Sequence, residues 1–89
     1  MTNAVEIVKN FLKNRRQAYI ATFLGTGADG EAVLKDLARF CRANRSTFNP
    51  DPYLAARLDG RRECWLRIME HVNLTEEQLY KLYGRNIDT

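Results

Sequence analysis

The chain has 89 residues, of which 45% are hydrophobic and 28% are charged, and its formal net charge is +3. This length predicts a single domain, 1–89, with a thin core that buries roughly 60–65% of the extended-chain surface. No apolar run approaches the roughly 18 residues of a membrane span, and residues 1–6 lack a signal-peptide pattern. Cys41 and Cys64 are too few for a disulfide scaffold, so we expect two buried, reduced thiols in a cytosolic protein.

The first predicted helix covers about residues 3–23. Its apolar residues recur at helical spacing and define one face: Val5, Val8, Leu12, Tyr19 and Phe23, with Phe11 at the edge. Arg15 falls near the middle of this face. A basic flank follows the same helix at Lys9, Lys13 and Arg16. Because a thin core leaves part of such a long amphipathic face uncovered, we expect a homodimer through this helix.

Three glycines between positions 25 and 30 predict the turn that follows. We expect Thr26 or Asp29 to cap the next helix. Glycine-rich loops before helices bind phosphate in nucleotide-binding proteins. Here no strand precedes the loop and no Gly-Lys-Ser/Thr follows it, so the spacing does not indicate such a site.

The second predicted helix covers about residues 30–43. Its apolar stripe consists of Val33, Leu34, Leu37, Phe40 and Cys41. Arg39, Arg42 and Arg45 gather at its C-terminal end. Two interpretations stay open, since the helix dipole favours cations at this end and the same arginines suit a phosphate or an acidic partner.

The connection 44–52 has the most unusual composition. Pro50 and Pro52 fix their own φ and keep the residues before them out of the helical region. Side chains that bond to neighbouring backbone groups are Ser46, Thr47 and Asn49. Phe48 is the only large apolar residue of this connection, and we expect it to plug the loop onto the core.

The third predicted helix, about residues 52–73, is the longest. Asp51 caps it and Pro52 occupies its first position, where no N–H is required. Its apolar stripe consists of Leu54, Leu58, Trp65, Ile68, Met69 and Val72. At about 1.5 Å per residue this helix is roughly 30 Å long, which suits a central strut.

Arg61 falls at the centre of that stripe, next to Leu58 and Trp65. An isolated buried arginine costs several kcal/mol, so Arg61 requires acceptors, which residues 44–51 or a helix end can supply. The predicted internal brace comprises Arg15, Ser46, Thr47, Phe48, Asp51 and Arg61. We expect Arg61→Ala to lower stability by about 2–3 kcal/mol. Gly60 costs about 1 kcal/mol inside the helix, unless another backbone passes close to it.

The fourth predicted helix is short, about residues 76–83. Thr75 and Gln78 fit a capping box, and Gly84 is placed to end the helix. Tyr80 is expected to stay outside the core, and residues 85–89 to form a frayed tail.

The sequence offers little for catalysis. Its one histidine, His71, shares a helical face with Cys64, but seven residues separate their side chains by about 10 Å, too far for a nucleophile pair. Metal sites of the Cys and His type use closer spacing. We therefore expect no enzyme, with no catalytic residue, no metal and no cofactor.

Sequence-specific DNA binding is also not indicated. A helix-turn-helix needs a turn of three or four residues, whereas about eight residues with two prolines separate the second and third helices. Non-specific phosphate contacts through the basic groups stay open. Stacking of bases is not indicated, because most aromatic residues fall on apolar stripes.

Five segments occur in a recognisable order: Gly-x-Asp-Gly (27–30), Val-Leu-x-Asp-Leu-Ala-Arg-Phe-Cys (33–41), Ser-Thr-Phe-x-Pro-Asp-Pro (46–52), Gly-Arg-Arg (60–62) and Leu-Arg-Ile (66–68). Over about residues 18–80 the chain resembles a family of small tailed-phage and prophage proteins that are often encoded near head-assembly genes. The resemblance implies a phage-encoded, non-enzymatic helical protein. It supplies no catalytic or binding residues.

We therefore expect an all-α domain in which helix 3 packs on helices 1 and 2 and helix 4 closes one end. The expected function is a phage structural or assembly accessory that acts through protein–protein contacts in the host bacterial cytoplasm or the virion. The alternatives are a nucleic-acid-binding accessory and a phage protein that inhibits a host enzyme. The candidate partner or phosphate contacts are Lys9, Lys13, Arg16, Arg39, Arg42, Arg45 and Tyr80.

Overall fold

Residues 3–84 are described by the computed structural model, and they form four helices without a strand. The helices are α1 (Ala4–Phe23), α2 (Ala28–Phe40), α3 (Pro52–Asn73) and α4 (Glu76–Tyr83). This arrangement confirms the predicted all-α class, with the third helix longest and the C-terminal helix short. None of the described helices has the length and apolar character needed to cross a membrane. The frayed tail expected at 85–89 lies outside the described residues.

Side-chain caps begin three of the helices. The carboxylate of Asp51 accepts from the Tyr53 N–H at 2.9 Å, with Pro52 in the first turn as predicted. The capping box of α4 is confirmed, because the Thr75 hydroxyl accepts from the Gln78 N–H and the Gln78 amide accepts from the Thr75 N–H. At α1, Asn3 accepts from the Glu6 N–H at 2.9 Å.

Helix α2 differs from its prediction at both ends. It begins at Ala28 rather than residue 30, because Gly27 adopts φ 64° and turns the chain directly into the helix. The expected side-chain cap is wrong, since Thr26 donates its hydroxyl to the Thr22 carbonyl at 3.0 Å instead. The helix stops at Phe40 because Arg42 takes the left-handed conformation, with φ 58°. Left-handed backbone is unfavourable for a side chain of this size.

Helix α1 packs against each of the other three helices, whereas α3 packs on α1 and, less extensively, on α2. Tyr19 stacks on His71 and Arg16 reaches the Leu74 carbonyl, so α1 and α3 run antiparallel. Helix α4 lies mainly against α1. The C-terminal half of α3, the second half of α1 and α4 therefore meet at one place.

The core of the described residues is thin. Its buried side chains are Leu12, Cys41, Leu58, Leu79 and His71, of which Leu12, Leu79 and His71 are fully buried. The molecule extends over 54 × 33 × 16 Å and exposes 6608 Å². A compact monomer of this mass exposes about 5,400 Å². The fold is therefore flat and presents more surface than its length requires.

One expectation about packing is wrong, and one condition is not met. Cys41 is buried, and that burial raises the pKa of its thiol, but Cys64 is exposed because the limited contact between α2 and α3 leaves it uncovered. No backbone passes close to Gly60, since a Cβ built there would meet no atom within 4 Å. Gly30, by contrast, has a close neighbour, because its Cβ would lie 2.6 Å from the Phe23 carbonyl oxygen.

Candidate interaction surface

The arginine–histidine joint is the place where α1, α3 and α4 meet, and we define it as Arg15, Tyr19, Arg67, His71 and Tyr83. His71 is fully buried. Its ring stacks on Tyr19 with centroids 4.3 Å apart, and on Tyr83 at 5.5 Å. Arg15 donates from Nε to His71 Nε2 at 2.9 Å. The arginine in the apolar face of α1 therefore makes an internal contact with the only histidine of the chain.

The two hydrogen bonds of His71 fix its protonation. Arginine Nε only donates, so His71 Nε2 accepts and the ring proton of the neutral form lies on Nδ1. Nδ1 then donates to the Arg67 carbonyl, 2.8 Å away. Burial lowers the pKa of His71, and the nearby guanidinium groups of Arg15 and Arg67 lower it further. The joint therefore holds a neutral imidazole beside two cations.

Tyr83 closes the joint from α4. Its hydroxyl donates a short hydrogen bond to the Glu70 carboxylate, and burial together with that bond raises the pKa of Tyr83 to about 12. The guanidinium carbons of Arg15 and Arg67 lie 5.1 and 5.0 Å from its ring centroid. Arg15 Nη2 is buried without a hydrogen-bond partner among residues 3–84. Burial lowers the pKa of Arg15 as well.

The chemistry of the joint is structural. Both ring nitrogens of His71 are engaged and the ring is inaccessible, so it offers solvent neither a base nor a metal ligand. Across the described part of the chain, no group of three or more His, Cys, Asp or Glu side chains could hold a metal ion. What the joint does is to tie three helices together.

The basic flank of α1 is divided among different contacts. Arg16 is half-buried and donates from Nε to the Leu74 carbonyl at 2.7 Å, which satisfies the C-terminal end of α3. Lys9 lies 3.7 Å from the Glu77 carboxylate and 5.0 Å above the ring of Tyr80. Tyr80 is thereby half-buried rather than outside. Lys13 is exposed, and of the three residues of this flank it alone has no partner among the described residues.

A second concentration of arginines lies at the other side of the molecule. We define the arginine–aromatic end as residues 39–62, where six arginines accompany only two carboxylates, Asp51 and Asp59. Arg61 lies over the ring of Phe40, with its guanidinium carbon 4.2 Å from the centroid. Arg62 donates from Nη1 to the Arg45 carbonyl at 3.0 Å. These two contacts join the end of α2 to the middle of α3 and so close the loop between the two helices.

The predicted brace is wrong in its details. Arg61 makes no hydrogen bond to residues 44–51 in the described structure and lies over Phe40, and the neighbouring Arg62 holds the loop instead. Phe48 is not a plug, since 78% of it is exposed. Local hydrogen bonds shape the loop without it: Ser46 Oγ accepts from the Phe48 N–H at 3.0 Å, and Asn49 Oδ1 accepts from the Asp51 N–H at 2.9 Å. Thr47 is half-buried.

The C-terminal end of α2 forms the wall of a shallow concavity of about 360 Å³. Its lining consists of Lys35, Ala38, Arg39, Arg42, Ala43, Asn44 and Arg45. Lys35 pairs with Glu31 at 3.4 Å. The three predicted arginines 39, 42 and 45 thus share one open depression, where Arg39 and Arg45 are exposed and Arg42 is half-buried.

Sequence reasoning does not place His71, Tyr83, Arg62 or Tyr53 in a candidate site. Arg15 was the available signal for the joint, because an arginine within an apolar face needs a buried acceptor and the chain has one histidine. No comparable signal distinguishes Arg62 from Arg61. Tyr53 is 86% exposed in the first turn of α3. Its position does not interrupt the apolar stripe of that helix, so no anomaly in the sequence marks it.

Comparison with known families identifies one relationship. The model of the family described as Bbp19-like phage protein matches residues 20–83. That range covers α2, α3 and α4 together with the last turn of α1, and it includes the arginine–aromatic end. No curated protein and no solved structure matches the chain.

Proposed function

We propose that this chain, which belongs to the family of Bbp19-like phage proteins, is a non-enzymatic structural or assembly accessory that acts through protein–protein contacts. Its place of action is the host bacterial cytoplasm, where phage particles are assembled, or the particle itself. One observation supports the proposal most: the side chains that a small domain normally buries are largely on its surface.

The extent of that exposure exceeds what scattered surface residues account for. Eleven large hydrophobic residues of the described chain are at least 41% exposed, whereas four hydrophobic residues form the buried core. An exposed leucine by itself is ordinary, but apolar groups that outnumber the core mark surfaces which another protein covers. Such surfaces suit a component of a larger assembly.

The α1 stripe, which we define as Ile7 and Phe11, is the first of these surfaces. The two residues lie one helical turn apart and are 58% and 50% exposed. Leu12, on the neighbouring face, is fully buried against the rest of the molecule. The stripe therefore points away from the core and leaves an apolar ridge along the N-terminal half of α1.

A second copy of the chain is the occupant we propose for this ridge. The molecule exposes about 1,200 Å² more than a compact monomer of its mass. A permanent homodimer hides more than about 2,000 Å² in total, so the contact would extend from the stripe over neighbouring exposed side chains such as Val5, which is 46% exposed. Two-fold pairing of identical apolar stripes also needs no complementary sequence elsewhere in the chain.

Sedimentation equilibrium tests the dimer. The wild-type chain should have twice the monomer mass, and Ile7→Glu should have the monomer mass because it places a carboxylate in the apolar contact. Leu24→Glu is the matched control, since Leu24 is 57% exposed outside the stripe and this variant should stay dimeric. A wild-type chain that is monomeric at all concentrations would remove self-association.

The assembly role is tested during infection. A tagged copy should sediment with heads or head precursors, and cross-linking followed by mass spectrometry should join it to a phage structural protein. The Ile7→Glu and Leu24→Glu pair separates a requirement for the stripe from a general loss of stability. Absence of the wild-type chain from particles and from every assembly intermediate would contradict the proposal.

A further inference from the structure

We propose that the arginine–aromatic end binds single-stranded DNA, with its arginines on the phosphates and its exposed rings on the bases. Contacts within the molecule account for Arg61 and Arg62, but not for the guanidinium groups of Arg39, Arg42 and Arg45. Its six arginines against two carboxylates give it a larger positive surplus than the +3 of the whole chain. A local surplus of this kind attracts a polyanion and makes its binding dependent on salt.

The concavity at the end of α2 has the form of a phosphate site. Lys35 and Arg39 are four residues apart on one face of α2, at a rise of about 6 Å. Arg42 and Arg45 follow the end of the helix and line the same concavity. The Lys35 ammonium already has Glu31 as its partner. Arg39, Arg42 and Arg45 have no hydrogen bond or ion pair from their guanidinium groups to any described residue. Guanidinium groups bind phosphate oxygens in a bidentate manner, which favours these three residues as the anion contacts.

The exposed aromatic rings favour a ligand that offers flat faces for stacking as well as negative charge. Three aromatic side chains are largely exposed: Phe40 (55%), Phe48 (78%) and Tyr53 (86%). All three lie in the segment between residues 40 and 62, whose ends are joined by the contacts of Arg61 and Arg62. Leaving large rings in water is unfavourable. Unpaired bases stack on such rings, and each stacked base contributes substantially to affinity whatever its sequence.

The combination favours a single strand over the other polyanions. A duplex keeps its bases stacked inside, so it would use the arginines and leave the rings in water. An acidic protein segment supplies charges without flat π faces. Phosphates and base faces are common to DNA and RNA, so an RNA strand of equal length should bind with an affinity within about threefold, because no contact proposed here involves the sugar.

Fluorescence anisotropy with a labelled 20-nucleotide oligodeoxythymidylate tests the proposal on the full chain. Binding should be saturable at low salt. The logarithm of its affinity should fall against the logarithm of salt with a slope of about −2, as three phosphate contacts on a single strand predict. A 20-base-pair duplex and polyglutamate are the comparison ligands, and both should bind more weakly than the oligonucleotide.

Two matched pairs of variants assign the contacts. Arg39→Gln with Arg42→Asn should weaken binding at least tenfold, and asparagine tolerates the left-handed backbone at position 42. Lys13→Gln with Lys81→Gln removes the same charge from elsewhere and should change affinity less than threefold. Phe48→Ala and Tyr53→Ala should each weaken binding about fivefold or more. Leu24→Ala, at an apolar position that is 57% exposed outside the region, should have no effect.

Several results would overturn the proposal. They are the absence of saturable binding at low salt, equal losses in the two charge-matched pairs, affinity that survives removal of the rings, tighter binding of the duplex or polyglutamate, and an RNA affinity that differs by much more than threefold. Circular dichroism spectra identical to the wild type show that a weakened variant is folded. All substituted positions are exposed or half-buried, so folding should be retained.

Discussion

Arginine side chains lie against aromatic rings in two regions of this molecule, with opposite consequences. In the arginine–histidine joint, Arg15 lies against Phe11 and Tyr83 and also bonds to a fully buried imidazole. In the arginine–aromatic end, Arg61 lies on Phe40, whose ring remains 55% exposed. The comparison teaches that the pairing itself does not determine stability. A buried polar partner that would be left unpaired makes the arginine essential to the fold.

Arg15→Ala is the largest expected loss of stability. It leaves His71 Nε2 buried without a donor and removes a guanidinium from between two rings, so the free energy of unfolding should fall by about 2–3 kcal/mol. Urea denaturation measures it. Arg61→Ala is the matched control at the open end and should cost only about 0.5–1 kcal/mol, the value of one partly exposed cation–π contact. This value replaces the larger loss of stability that the sequence alone predicts for Arg61→Ala. Equal losses for Arg15→Ala and Arg61→Ala would contradict the difference between the joint and the arginine–aromatic end.

Acid should weaken the joint through His71. Its pKa is lowered in the folded state, so the unfolded chain binds the proton first as the pH falls below the ordinary value of about 6.5. The stability that the neutral ring provides is therefore complete above that pH and is lost as the pH falls toward the folded pKa. The protonated ring can no longer accept from Arg15, and Arg67 adds repulsion.

Melting temperatures at pH 7.5 and pH 5.5 test this dependence. His71 is the only histidine, so wild type should melt lower at the acid pH. His71→Gln should melt lower than wild type at pH 7.5 and show little change between the two pH values. A wild-type melting temperature that rises on acidification would contradict the neutral assignment.

Tyr83→Phe should produce a smaller loss. It keeps the ring against His71 and removes only the hydroxyl that donates to Glu70, so about 1 kcal/mol should be lost. Tyr53→Phe removes the same hydroxyl from an exposed ring and should leave the unfolding curve unchanged. A loss as large at position 53 as at position 83 would show that the open end is packed in solution.

Gly60→Ala should increase stability. The position lies inside α3 and a Cβ there meets nothing within 4 Å, so the substitution recovers about 0.5–1 kcal/mol of helix propensity without a clash. Gly30→Ala is the contrasting variant, because its Cβ would be forced against the Phe23 carbonyl. Thermal melts that move in the same direction for both would contradict the packing at one of the two sites.

The sequence predicted what local chemistry controls and missed what tertiary contacts decide. Three of the caps follow from side chains within three residues of a helix start, and Asp51 and the Thr75–Gln78 pair were read directly. The apolar spacing of α1 also showed Arg15 as an anomaly. Its partner could not be named, because His71 is 56 residues away and only the antiparallel packing of α1 on α3 joins them.

In the arginine–aromatic end, too, tertiary contacts decide what the sequence does not predict, here the exposure of two rings. Phe40 and Phe48 were assigned to the core because apolar residues at helical spacing or within a tight loop are usually buried. The shortness of α2 and its limited contact with α3 leave both rings uncovered. How much of a stripe a neighbouring helix covers depends on the lengths and crossing of the helices, which one sequence does not specify.

The joint thus holds the fold, while the arginine–aromatic end is open for contacts. The free energy of unfolding of the Phe48→Ala, Tyr53→Ala double variant tests it most directly. Since the two rings are 78% and 86% exposed, the value should lie within about 0.5 kcal/mol of the wild type. A loss of about 2 kcal/mol or more would show that these rings are part of the core, and that the end is closed in the free protein.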